Sequence, residues 1–150
     1  MKVLMVCLGN ICRSPIAEGV FKHEAAERGI DLEVDSAGTS GFHIGEAPDK
    51  RSIEFMRSVG IDISNQKARQ ITHQDLEQFD IIYAMDRNNL RDLQGMCHKE
   101  ELKPKLKLLL GFESEPSRQI VPDPYYGEMH DFERTYKLCK KAADEILPTY

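Results

Sequence analysis

A chain of 150 residues has room for one domain with a proper core, and too little for two. Its net charge of −5 argues against a nucleic-acid binder or a polybasic membrane anchor, so attraction for an anionic partner has to be local. No apolar run approaches a membrane span, Lys2 before a short strand is no signal peptide, and the cysteines at 7, 12, 97 and 139 form neither a disulfide framework nor a paired zinc motif, which points to a reducing cytoplasm.

Residues 3–6 are apolar throughout and half β-branched, the pattern of a strand buried on both faces in a parallel sheet. The run ends on Cys7, five residues intervene, and Arg13-Ser14-Pro15 follow. Ser14 is an N-cap type and Pro15 suits the first helical position, so a helix is expected to start there. The loop between contains Gly9 and Asn10, the residues that take positive φ most easily, and such a loop turns backbone N–H groups toward one point at a helix N-terminus. Cys7 borders that anion cradle and Arg13 adds a fork shaped for phosphate oxygens. Cys7 alone reads equally well as a packed core thiol. Cys, five residues, Arg, Ser at a strand-to-helix switch reads as a thiolate placed for in-line attack on a phosphate monoester.

Further along, residues 16–28 show one apolar stripe at helical period, with Gly29 as the C-cap, and 32–36 alternate like a strand. Residues 49–59 read as a second helix ended by Gly60. The shared Gly-Ile-Asp at 29–31 and 60–62 reflects helix-exit chemistry and not a repeat. Thr72 and Asp75 are spaced as a capping box for a helix over 72–79. A third buried strand is expected at 81–85, a helix over 88–94, a fourth strand at 105–110 and a closing amphipathic helix at 131–147. Strands alternating with helices imply a single α/β domain over 1–150: a three-layer sandwich, four-stranded parallel sheet with helices on both faces. The site should lie at the carboxyl ends of the strands.

Asp123 stands between Pro122 and Pro124, in a loop stiff enough to hold a carboxyl over a cleft, where it can protonate a departing oxygen. Without the Cys7–Arg13 loop it would read as an ordinary turn residue. Tyr125, Tyr126 and Phe42 supply aromatic walls for a flat phenyl group, although Tyr126 also suits loop packing. The histidines at 23, 43, 73, 98 and 130 lack metal-ligand spacing, and Cys97-His98 reads as a surface loop. No cofactor or metal is implied.

The stretch Cys7-Leu8-Gly9-Asn10-Ile11-Cys12-Arg13-Ser14-Pro15 resembles the signature of the low-molecular-weight protein tyrosine phosphatases. The likeness continues through Asp35-Ser-Ala-Gly-Thr39, Ala68-Arg-Gln70 and Asp123-Pro-Tyr-Tyr-Gly127, nearly the whole chain. It implies Cys7 as nucleophile, Arg13 as phosphate ligand and Asp123 as general acid and then base. It also implies a phosphate cradle of Leu8, Gly9, Asn10, Ile11, Cys12 and Ser14. Asn10 would hold the strained loop, Ser14 donate to the Cys7 sulfur, Ser36 tie the loop to the second strand, and Asp86 orient Arg13. The family's usual histidine before Ala68-Arg-Gln70 is missing, and Gln66 is expected in its place. Partners would be phosphotyrosine-containing proteins and small aryl phosphates; self-association stays open. An arsenate reductase would need a pair of resolving cysteines, and a phosphotyrosine-binding module or phosphocarrier would have no use for Cys7 and Asp123 together. Cys12, in the same loop as Cys7, suits packing behind the loop as a small apolar residue, but is expected to serve as a resolving thiol that closes a Cys7–Cys12 disulfide on oxidation.

Overall fold

Residues 3–6 offer solvent no polar side chain. In the computed structural model, which describes residues 1–150, all four are fully buried in a central strand, β1 (Lys2–Cys7). The chain then runs through α1 (Arg13–Glu27), β2 (Glu33–Gly38), α2 (Lys50–Ser58), α3 (His73–Gln78), β3 (Ile81–Ala84), α4 (Arg87–Met96), β4 (Leu106–Leu108) and α5 (Met129–Ile146). All four strands are parallel, in the order β2-β1-β3-β4. Alternation along β1 divides its side chains between two cores. Val3, Met5 and Cys7 pack with residues of α1, α2 and α5, while Leu4 and Val6 pack with Leu76 of α3 and Leu93 of α4. This is the expected three-layer sandwich, and no helix in it is long and apolar enough to cross a membrane.

The helix exits follow the glycines. Gly29 (φ 66°) donates to the Ala26 carbonyl and Ile30 to that of Ala25; Gly60 (φ 83°) donates to Arg57 and Ile61 to Met56. Both are Schellman motifs, where a left-handed glycine lets its own N–H and the next one close the last turn. The Thr72–Asp75 capping box is present, and Asp86 and Asn89 form another ahead of α4.

Three expectations need correction. α1 begins at Arg13, with Cys12 as its N-cap, so Ser14 and Pro15 are its second and third residues and Ser14 caps nothing. Nor is α1 amphipathic in its first half: every residue from Arg13 to Phe21 is buried, because the sheet, α2 and α5 enclose that segment from several sides. The fourth strand is shorter than predicted. A 3₁₀ turn over Glu100–Lys105 precedes it, and Leu109 and Leu110 stay buried after the chain has left the sheet.

Candidate active site

The loop leaving β1 curls back into the N-terminus of α1. None of the backbone N–H groups from Leu8 to Ser14 meets an acceptor in the chain, although the neighbouring carbonyls are used: Cys7 O accepts from Thr39, Leu8 O from Ser40, and Ile11 O from Asp49. Unpaired donors at a helix N-terminus are the physical form of an anion site. Of the two residues predicted to take positive φ, only Asn10 does (57°). At Gly9 space is the tighter constraint, since a Cβ there would lie 3.1 Å from His43 Cδ2 and the ring would have to give way. Gly38 has a similar reason: its Cβ would come within 2.7 Å of Leu8 O, so only glycine lets β2 end against the loop. Residues 68–70 run beside that end, with Gly38 bridged to Gln70.

Hydrogen-bond directions around Asn10 follow from its partners. Arg69 N–H donates to Asn10 Oδ1 (3.0 Å), which turns the amide nitrogen toward Ser14 Oγ (2.8 Å) and Ser36 Oγ (2.9 Å). Ser36 then donates to Glu18 Oε1 (2.6 Å), and Glu18 also accepts from Lys22 Nζ (2.7 Å). With its oxygen occupied by Asn10, the Ser14 hydroxyl has its proton free for Cys7 Sγ, 3.0 Å away. The Cys7 sulfur is thereby the acceptor in this contact.

Glu18, 4% exposed, was not singled out in the sequence; its only local signal is its place four residues after Ser14 on the same helix face. Gln66 does not take the bracing role expected of it. Its Nε2 donates to Pro15 O (3.1 Å), and Glu18 anchors the network.

Arg13 is 3% exposed, and its Nη1 donates to Asp86 Oδ2 (2.5 Å) and Val121 O (3.1 Å). Asp123 Oδ2 lies 3.7 Å from Nη2. Burial works against the guanidinium charge, but Cys7, the Asp86 hydrogen bond and Asp123 outweigh it and raise the Arg13 pKa. Asp86 therefore sits where the orienting residue was expected, and Asp123 comes to the same cation from residues 110 positions downstream of Arg13 (123 − 13).

These groups open into a cleft of about 310 Å³ that brings together Cys7, Arg13 and Asp123 with Leu8, Gly9, Ile11 and Cys12 on its floor. Phe42, Tyr125 and Tyr126 form its rim; Tyr125 and Tyr126 meet edge to face at 4.9 Å. Phe42 is 83% and Tyr126 96% exposed, so Tyr126 does not pack the loop. Asn10, Ser14, Ser36 and Asp86 stand behind the cleft. His43 belongs to the lining and was missed. It reaches the same cleft as Cys7, yet its Nδ1 faces Glu46 Oε2 (2.7 Å), and the Cys7 sulfur has no hydrogen-bond partner but Ser14. A larger depression of about 520 Å³ lies between α1 and residues 60–66, and no cysteine, serine or threonine lines it.

All four cysteines are free and buried. Cys97 is no surface residue: it packs in the core on the α3–α4 side, across the sheet from Cys7. Burial, with Asp49 and Cys7 nearby, pushes the Cys12 thiol well above its usual pKa, and burial pushes Cys139 up to about 12.

The description of the low molecular weight phosphotyrosine protein phosphatase family matches residues 2–149. A human protein of that name is 46% identical over 97% of this chain and 92% of its own. A protein tyrosine phosphatase structure from Entamoeba histolytica superposes with TM-score 0.93 at 35% identity, covering 99% of this chain and 96% of its own. A drosophila arginine phosphatase structure does so with TM-score 0.93 at 34% identity, covering 100% and 98%.

Proposed function

The chain belongs to the low molecular weight phosphotyrosine protein phosphatases, and we propose that it works through a cysteinyl-phosphate in the cleft just described. Phosphate occupies the ring of N–H groups from Leu8 to Ser14, with the Arg13 fork on its oxygens. The Cys7 thiolate forms a bond to phosphorus as the bond to the phenolic oxygen breaks, and Asp123 gives that oxygen its proton. Asp123, now a carboxylate, takes a proton from water as the water oxygen attacks phosphorus and the S–P bond breaks. Inorganic phosphate leaves and the thiolate returns.

One observation carries this reading: a sulfur whose sole partner is a donating hydroxyl lies beside a loop of unclaimed N–H groups. The aromatic rim supports phosphotyrosine as the substrate, since stacking and apolar burial reward a phenyl ring. Arsenate reduction is disfavoured by Cys97, packed on the far side of the sheet, and by Cys139, fully buried on α5. A pure binder or phosphocarrier would be harmed by a carboxyl 3.7 Å from the phosphate-binding arginine.

The test is turnover of p-nitrophenyl phosphate, phosphotyrosyl peptide and phosphoarginyl peptide, with and without arsenate and thioredoxin. The expected result is phosphotyrosine preference independent of both additives, unaffected by EDTA and abolished in Cys7→Ser, which still binds vanadate. Preference for phosphoarginine, or arsenate-dependent thioredoxin oxidation, would replace the reading.

A further inference from the structure

For Asp123 to protonate a leaving group, its loop has to stay at one height above the phosphate loop. The side chain is 44% exposed, and its own hydrogen bond is the one it accepts from Tyr125 N–H (3.1 Å), inside the same loop. The restraint comes from α2. Asp49, its N-cap, donates its backbone N–H to Ile11 O of the phosphate loop (2.7 Å). The Asp49 carboxylate clamps Arg51 side-on, accepting from Nε at 3.0 Å and Nη2 at 2.9 Å. So aligned, the guanidinium donates to two carbonyls of the acid loop, Nη2 to Tyr125 O (2.8 Å) and Nη1 to Gly127 O (3.1 Å). It also lies over the Phe132 ring, 4.5 Å from the centroid, at the start of α5.

Four of the five guanidinium N–H groups are thus committed. One end of the assembly holds the loop that binds phosphate, and the other holds the loop that carries the acid. Planarity is what makes it a spacer: the fork against Asp49 fixes the direction in which the remaining N–H groups point. An ammonium on a flexible stem has no such direction.

We propose that Arg51 is a positioning residue for catalysis, which with Asp49 forms a strap setting the distance of the Asp123 loop from the phosphate loop. The inference rests on Asp123 being the general acid. A displacement of about 1 Å at a reacting group can cost about 100-fold in rate, so cutting the strap should cost about 10- to 100-fold where the proton matters, and little where it does not.

The experiment measures kcat/KM for phenyl phosphate, whose leaving group needs a proton, and for 2,4-dinitrophenyl phosphate, whose leaving group does not. The proteins are wild type, Arg51→Met, Arg51→Lys, Asp49→Asn, Asp123→Asn and the Arg51→Met/Asp123→Asn pair. Arg51→Met and Arg51→Lys should lose about tenfold or more on phenyl phosphate and less than about threefold on the dinitrophenyl ester. Vanadate affinity should stay within about twofold, because the cradle is untouched. With Asp123→Asn already present, Arg51→Met should change either rate by less than about twofold. Equal losses on both esters, or the same loss with and without Asp123, would make Arg51 a packing residue and overturn the strap. Should Arg51→Met fail to fold, Arg51→Lys and Asp49→Asn make the same comparison. If Asp123→Asn shows no dependence on the leaving group, the acid assignment falls; if it does while the Arg51 variants show none, only the strap falls.

Discussion

Replacing Asn10 by alanine tests the cradle at its most loaded point. The amide is 3% exposed and makes three hydrogen bonds, to Ser14, Ser36 and the backbone of Arg69. At about 1 kcal/mol net for each, their loss costs about 3 kcal/mol. Alanine must also hold φ near 57°, which adds about 1 kcal/mol. The sum, about 4 kcal/mol, is a large share of the roughly 5–15 kcal/mol that holds a domain together, and corresponds to a Tm lower by about 8–16 °C at this chain length. Asn10→Gly loses the same hydrogen bonds but relaxes the backbone, so it should recover about 0.5–1 kcal/mol of the deficit. Urea unfolding with and without phosphate is the assay. Phosphate at about 100 times its Kd should stabilise wild type by about 2.7 kcal/mol and either variant far less, because the N–H groups no longer converge. A loss under about 1.5 kcal/mol for Asn10→Ala, or glycine no better than alanine, would refute the assignment of strain and hydrogen bonding to this residue.

Arg13→Lys should lower kcat/KM by at least about 100-fold, since an ammonium cannot serve the substrate and also satisfy Asp86 and Val121 O as the buried fork does; a near-normal rate would remove Arg13 from the site. Phe42→Ala should reduce turnover of phosphotyrosyl peptides more than that of p-nitrophenyl phosphate, and an unchanged ratio would take Phe42 off the recognition rim. After peroxide, dithiothreitol should restore most activity to wild type and much less to Cys12→Ser, with a Cys7–Cys12 peptide in the mass spectrum only of the former; equal recovery leaves Cys12 a packing residue. Burial pushes the Asp75 carboxyl up, but hydrogen bonds from Arg69 and the Thr72 backbone outweigh it and leave its pKa below the usual range. The stabilisation this brings is complete above the unfolded value of about 3.9 and is lost as pH falls through the lower folded value. Asp75→Asn should therefore lose stability at pH 7 and show a shallower acid limb in a pH series of melts.

Much of this protein was legible in one dimension because its signals are local. Val3 to Val6 announce a two-sided strand, Gly29 and Gly60 announce helix exits, and Thr72 with Asp75 announces a capping box, since each depends on neighbours within a few residues. The phosphate loop is local too: Cys7 and Arg13 share one strand-to-helix turn, and the resemblance brought Asp123, Phe42, Ser36 and Asp86 to it. Tertiary structure decided what depends on partners far along the chain. Ser14 looked like a cap and caps nothing; the donor role the resemblance implied for it depends on Asn10, held by Arg69 from far along the chain, which takes its oxygen and leaves its proton for Cys7. Gln66 looked like a brace and turned to Pro15, leaving Glu18 to anchor Ser36 from a helix that appeared amphipathic until the sheet, α2 and α5 closed around it. Arg51 had no signal at all: its partners Tyr125 and Gly127 lie more than 70 residues away (125 − 51 = 74), and they accept through backbone carbonyls, which no side-chain pattern records.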